Sequence, residues 1–500
     1  MEKMIDMTQF SHQERIEMAN RALSDPSLGV KNDRFRLHYH FMPPAGWMND
    51  PNGLIQYRGE YHVFYQHDPY GPQQGPMHWG HAKSRDLIRW EHLPVALAPS
   101  ETYDWVTEGI GGGCWSGSAV DDDGLFTLVY TGHVDGRRPE EVQCLATSTD
   151  GIRFEKAAFN PVIEGPPEPD GFGFRDPKVW KRGDCWCMVV GFGKGGFGKA
   201  LFYRSFNLRE WEYVGPAAES DGTMGDMWEC PDLFPLGEGD RHVLVISPMN
   251  MGETKTMYLS GDFDYETGRL SVEHAERLDY GFDFYAPQTF LDDRGRRLLF
   301  GWMNIWGSAM PERGDGWMGA LTIPREIQPA EGGKIRMVPV PELRELRGGH
   351  HAVKAQQIPE GAEVPLAGIR SEALELIAVF DASASKDAEF GILLRCSEDD
   401  SERTEVRYCP ASGILSMDRN RSGIGDKGIS ETSIAPMDDG RIKLHLFLDR
   451  SSVELFANDG ERTITNRIYP DPSSLGIKLF ARSGNASLVS LDIWELKSIR

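Results

Sequence analysis

Three islands of sequence each set a carboxylate in a turn-prone setting flanked by aromatic residues or proline. Trp47-Met48-Asn49-Asp50-Pro51-Asn52-Gly53 carries Asp50, Phe174-Arg175-Asp176-Pro177 carries Asp176, and Trp228-Glu229-Cys230-Pro231-Asp232 carries Glu229. Cleaving a glycosidic bond takes two carboxyl groups at a fixed separation, one charged and one carrying a proton. A third carboxylate can hold sugar hydroxyls. Local setting divides the roles. Glu229, between Trp228 and Cys230-Pro231, is expected to be partly desolvated near other carboxylates, and both effects raise a carboxyl pKa. Asp50, between Asn49 and a Pro-Asn-Gly turn, is expected to stay ionised through amide donors, and Asp176 through its neighbour Arg175.

Each island also has a plainer reading. Asp-Pro-Asn-Gly is a good tight turn by itself, Arg175-Asp176 could be a buried ion pair, and Glu229 could be surface charge. Trp115 is expected to stack on a sugar face and Trp79 to be core. His78 and His81 lack the acidic or cysteine partners of a metal site, and so does the Cys185-x-Cys187 pair, so both are read as structural and no metal is expected.

The elements that would position these groups are β-strands. After a predicted helix over 13–23, short strands separated by Gly, Asp, Asn and Pro turns begin near residue 40. They fall into five units opening at Asp50, Ser116, Asp176, Glu229 and about Pro287, with starts 53 to 66 residues apart. Each has an opening strand, a Gly/Asp turn and a strongly apolar strand. The first three add a polar-start segment ending in an aromatic, read as another strand: 84–90, 148–154 and 205–211. Five such units are the signature of a β-propeller, which closes its sheets radially. The unit starts would then face one another across one funnel.

The expected fold is all-β, a five-bladed β-propeller followed by a C-terminal antiparallel β-sandwich. The divisions are an N-terminal helical extension (1–33), the propeller (34–337), a linker (338–352) and the sandwich (353–500). The sandwich shows no constellation of chemical groups.

Five hundred residues fit two domains, and a formal charge of −23 argues against nucleic acid and anionic membranes as partners. No apolar run reaches membrane-spanning length. With seven cysteines and no export signal recognised, the expected compartment is the reducing cytoplasm.

These motifs together resemble glycoside hydrolase family 32, the β-fructofuranosidases, which include invertases, fructan hydrolases and sucrose-6-phosphate hydrolases. The resemblance extends to His78-Trp-Gly-His-Ala82, Trp115-Ser-Gly-Ser118, Asp283-Phe-Tyr-Ala-Pro-Gln288, Leu321-Thr-Ile-Pro-Arg-Glu326 and Asp449-Arg-Ser-Ser-Val-Glu-Leu-Phe456. It implies Asp50 as nucleophile, Glu229 as acid/base and Asp176 as transition-state stabiliser. The fructose pocket it implies consists of Trp47, Met48, Asn49, Gln66, Trp115, Ser116, Arg175, Tyr285 and Trp306. It implies no metal or organic cofactor. The partner would be a small sugar, either sucrose, sucrose 6-phosphate or a short fructan, and a homo-oligomer is compatible with it. Where some relatives carry a Trp, this chain has Gln73-Gln74. Arg137, Arg138, Lys194 and Lys199 are candidates for reading a 6-phosphate. Fructan trimming or fructosyl transfer would use the same carboxylates, and a non-catalytic fructan-binding protein is the alternative from another class.

Overall fold

The polypeptide from residue 46 to 339 winds into five antiparallel sheets of four principal strands. The computed structural model describes residues 10–105, 111–237, 239–252 and 256–499. The innermost strands are Gly46–Tyr57, Gly112–Asp122, Phe172–Arg182, Met227–Pro235 and Tyr285–Leu291, in blades I to V. Each packs on the next, and the fifth packs on the first, so the ring closes. A short parallel strand, Trp317–Met318, joins the start of the first inner strand and draws the end of the propeller back to its beginning.

The second strand of each blade is covered on both faces by neighbouring sheets. Leu125–Val134 is buried at every position but its first, and Arg241–Met249 at all but its two ends. Such strands read as continuous apolar runs instead of alternating ones.

One expectation fails here. The polar-start segments 84–90, 148–154 and 205–211 are turns, not strands. In each, a serine meets the Asp or Asn two residues on: Ser84 with Asp86, Ser148 with Asp150, and Ser205 with Asn207. The Asp or Asn side chain then accepts two backbone N–H groups, as Asp86 Oδ1 does from Ile88 and Arg89. Side chains of this kind compete with the sheet ladder for backbone donors, which is why they end strands.

The helix runs His12–Leu23, starting at a capping box between Ser11 and Glu14. It lays Ile16 and Ala19 against Val95 and Ala98 of the outer part of blade I.

Beyond the propeller the chain forms a sandwich of a seven-stranded and a six-stranded sheet, with Leu376, Phe380, Ile392, Leu444 and Leu479 among its core. Ile335–Pro339 still belongs to blade V, and Arg347–Val353 already pairs with Ala486–Leu496 of the sandwich. The passage between them is the 3-10 turn Pro341–Leu346, shorter than the expected 338–352 stretch.

A buried polar network joins the two halves. His40 sits 2.8 Å from both Asp449 Oδ2 and Glu454 Oε1. Glu454 also accepts from Arg325 at 2.5 Å, and Arg325 donates to Asp279 at 3.0 Å. All five residues are buried, so none of these charges is shared with bulk water. Among the described residues no helix is long and apolar enough to cross a membrane.

Candidate active site

A regular strand alternates its side chains between two faces, so consecutive residues cannot all reach one cavity. The inner strands break this rule at their starts. The pairing register slips between Met48 and Pro51, between Trp115 and Gly117, between Glu229 and Asp232, and between Tyr285 and Gln288. In blade III the slip lies between Arg175 and Lys178. Bulges of this kind re-aim side chains. Asp50, Ser116, Asp176 and Glu229 each sit at one. Asp176 and Cys230 adopt left-handed φ of +65° and +47°, and Ala286 one of +46°, a backbone strain typical of sites where geometry is over-determined.

The three carboxylates converge on one cavity of about 650 Å3. Asp50 Oδ2 accepts from Ser116 Oγ at 2.7 Å, and Oδ1 from Asn49 Nδ2 at 3.1 Å. Asn49 is itself oriented by Trp47, whose indole N–H donates to Asn49 Oδ1 at 2.6 Å. Asp176 Oδ2 accepts the Cys230 backbone N–H at 2.9 Å. The Cys230 thiol lies 3.6 Å from both Asp50 Oδ2 and Asp176 Oδ2, so the two aspartates flank one sulfur. Glu229 Oε1 accepts from Arg175 Nε and Nη2 at 3.1 and 2.9 Å, and Oε2 accepts the Tyr285 hydroxyl at 2.5 Å.

The charge balance differs from the sequence reading. Burial pushes Asp50 up to about 6, and facing Glu229 adds to this against the hydrogen bonds of Ser116 and Asn49. Burial raises Asp176 as well, with Glu229 and Asp50 adding to it and Arg175 opposing it. The donors around Asp50 therefore do not outweigh its desolvation. The plainer reading of Arg175 and Asp176 as an ion pair does not hold among the described residues. The Arg175 guanidinium turns to Glu229 and, at 3.0 Å, to Glu141. Although burial works against its charge, Glu141 is held down to about 2 by Arg175 and His133.

Asn49, Gln66, Trp115, Ser116, Arg175, Tyr285 and Trp306 all line the cavity together with the carboxylates. Trp115 is clamped from behind by His133, stacked at 3.6 Å, and Arg175 lies 5.6 Å over its ring. Trp47 and Met48 do not line it. Trp47 is a buried layer behind the wall, stacked on Trp306 at 5.8 Å, and Met48 is in the core with Tyr39 and Leu321. One inner-strand residue in this stretch must point away from the axis for its neighbours to point toward it. Trp79 is core, and its N–H donates to the Trp115 carbonyl at 3.2 Å. Gln74 lines the cavity wall.

The four phosphate candidates lie elsewhere. Arg138 pairs with Glu140, Lys194 with Glu168 and Lys199 with Glu219, and Arg137 donates to the carbonyls of Pro139 and Thr102. None of them lines the cavity. Sequence reasoning missed Arg419 and Asp426, which reach the cavity from the sandwich. No local motif signals them, because packing between segments remote in sequence decides where they point. Among the described residues no group of His, Cys, Asp or Glu is arranged to hold a metal, and the seven cysteines are free thiols.

The chain matches the family models for the N-terminal domain of glycosyl hydrolases family 32 over residues 40–339 and for the family's C-terminal domain over residues 342–495. It is 40% identical to a sucrose-6-phosphate hydrolase of Escherichia coli, covering 97% of this chain and 99% of that one. A raffinose invertase of Escherichia coli is 39% identical over the same shares. The fold superposes with a TM-score of 0.83 on a Bombyx mori β-fructofuranosidase solved with sucrose, at 34% identity and covering 98% and 99% of the two chains. The propeller with its sandwich, the converging carboxylates and these likenesses lead to one conclusion: this chain is a glycoside hydrolase and belongs to family 32.

Proposed function

We propose that the protein hydrolyses the fructosyl bond of sucrose-type sugars, releasing a terminal β-D-fructofuranosyl unit with retention of configuration. The observation that carries this is the convergence of Asp50, Asp176 and Glu229 on one cavity, with Cys230 between the two aspartates. In the first step a carboxylate oxygen of Asp50 attacks C2 of fructose, forming an ester. The bond from C2 to the leaving oxygen breaks, and that oxygen takes its electron pair and the proton of Glu229. In the second step Glu229 accepts a proton from water, the water oxygen bonds to C2, and Asp50 leaves as a carboxylate. Asp176 holds ring hydroxyls, and its bonds strengthen as positive character develops at C2. The first step requires a proton on Glu229, which it gives to the departing oxygen. Arg175 and Tyr285 fix both oxygens of Glu229, so it has little rotational freedom left. No metal or organic cofactor enters the scheme. A cytoplasmic site of action accords with seven free thiols.

Comparing kcat/KM for sucrose, sucrose 6-phosphate and a short inulin-type oligosaccharide tests this reading. Glucose and fructose in equal amounts from sucrose support hydrolysis. Chain growth at high sucrose would mean fructosyl transfer instead, and tight sugar binding without turnover would revive a non-catalytic role.

A further inference from the structure

Two charged side chains of the sandwich line the carboxylate cavity: Arg419, on the strand Ile414–Arg421, and Asp426, in the loop that follows. Arg419 is only 5% exposed. Its guanidinium lies 4.4 Å over the Phe282 ring, and Nη1 donates to Asp283 Oδ2 at 2.6 Å and to the Arg467 carbonyl at 3.3 Å. Its Nε is buried without a partner. Its Nη2 donates to no protein group among the described residues and is not sealed off as Nε is. A rigidly held arginine that lines the cavity thus keeps one N–H2 without a protein partner among the described residues. Asp426 spends only Oδ2 on the protein, accepting the Ala309 backbone N–H at 2.8 Å. That bond ties the sandwich to the propeller loop carrying Trp306, which is 39% exposed beside the same cavity.

A fixed donor, a fixed acceptor and an exposed indole face are what a hexose needs, since each hydroxyl both donates and accepts and the ring's C–H face is apolar. We propose that Arg419 and Asp426 hold the leaving sugar, and that this sugar is uncharged. Arg419 Nη2 donates to one hydroxyl, and Asp426 Oδ1 accepts from another. The charge count decides against a phosphorylated leaving group. Among the described residues lining the cavity, with Glu229 carrying the proton its acid role requires, Asp50, Asp176 and Asp426 still outnumber Arg175 and Arg419, and both arginines already face carboxylates. A phosphate dianion would enter a net negative field, strengthened by the low dielectric of the cavity walls.

This inference rests on the fructosidase reading above and deepens it. Its test uses methyl β-D-fructofuranoside, which has the fructosyl unit but no leaving sugar, beside sucrose and sucrose 6-phosphate. The expected result is a ratio of kcat/KM for sucrose to kcat/KM for the methyl glycoside that falls about tenfold in Arg419→Gln and in Asp426→Asn, equivalent to about 1.4 kcal/mol. The wild type is expected to favour sucrose over sucrose 6-phosphate. Asp426 is exposed, so its variant decides the matter should Arg419→Gln fail to fold. An unchanged ratio in Asp426→Asn overturns the proposal, as does an equal loss on both substrates, which would mark the pair as a clamp between domains. Preference for sucrose 6-phosphate that vanishes in Arg419→Gln would overturn the uncharged assignment. A wild type inactive on every fructoside would instead sink the fructosidase reading itself.

Discussion

Asp50 lies where burial works against its own charge, raised from the ordinary 3.8 to about 6. Because the folded value is the higher one, the folded chain binds the proton more tightly between those two values. The stability this contributes is present at low pH and is lost as pH rises through about 6. Roughly two pH units at about 1.4 kcal/mol each give a cost of about 3 kcal/mol at neutral pH for keeping the carboxylate charged. Asp50→Asn should therefore melt at a higher temperature than the wild type at pH 8 and lose that advantage near pH 4, while its turnover is abolished. Thermal unfolding at the two pH values checks this; a less stable variant at pH 8 would contradict it. For the same reason kcat/KM of the wild type should fall as pH drops through about 6. That Asp50, Asp176 and Glu229 share one cavity was legible in sequence, because each has proline or aromatic residues close by. Their charge balance was not, because the arginine beside Asp176 serves Glu229 and Glu141.

At the scale of elements, the starts of the five inner strands were legible because each opens on a turn-prone segment before a strongly apolar strand. The bulges were not, since the alternation of a strand says nothing of where it slips. They rest on close backbone approach between neighbouring strands. Gly191, opposite Arg175 in the blade III ladder, is the sharpest case. A β-carbon there would sit 2.1 Å from the Trp228 carbonyl oxygen and 3.2 Å from that of Arg175. Gly191→Ala must push apart the strands carrying Arg175 and Glu229. Overpacking of this kind costs about 1–3 kcal/mol, and a misplaced acid costs far more in rate than in fold. We expect kcat on sucrose to drop at least about tenfold with the protein still folded by circular dichroism. Full activity would show that these strands do not set the geometry of Glu229. The Ser-x-Asp and Ser-x-Asn turns misled the strand assignment because their aromatic ends imitate buried strands: Phe154 is core, and Trp90 and Trp211 donate back to the carbonyls of Leu87 and Leu208.

Across the whole molecule the sandwich is more than ballast. Asp449 and Glu454, legible only as part of a resemblance, hold His40 of the propeller side between them at 2.8 Å each. Burial disfavours the His40 cation, yet the two carboxylates win and push its pKa up to about 9. A folded value above the unfolded one means the stabilisation is complete below about 6.5 and is lost as pH rises through about 9. Chemical unfolding across pH 6 to 10 should show a loss of about 3 kcal/mol. His40→Gln should flatten that dependence and cost about 3–5 kcal/mol at pH 7 by leaving two buried carboxylates unpaired. Equal slopes in both proteins would remove His40 from the account. A further buried ion pair crosses the same join: Asp283, just ahead of the blade V inner strand, meets Arg419 of the sandwich at 2.6 Å. Because Arg419 also lines the cavity, the contact between domains and the outer part of the site are built from shared residues.

The most direct test of the three-carboxylate mechanism is to quench the enzyme with acid during turnover of sucrose and map its peptides by mass spectrometry. The expected result is a fructosyl ester on Asp50, absent from Asp50→Asn. An ester on Asp176 or Glu229, or no ester together with fructose released in the inverted configuration, would contradict it.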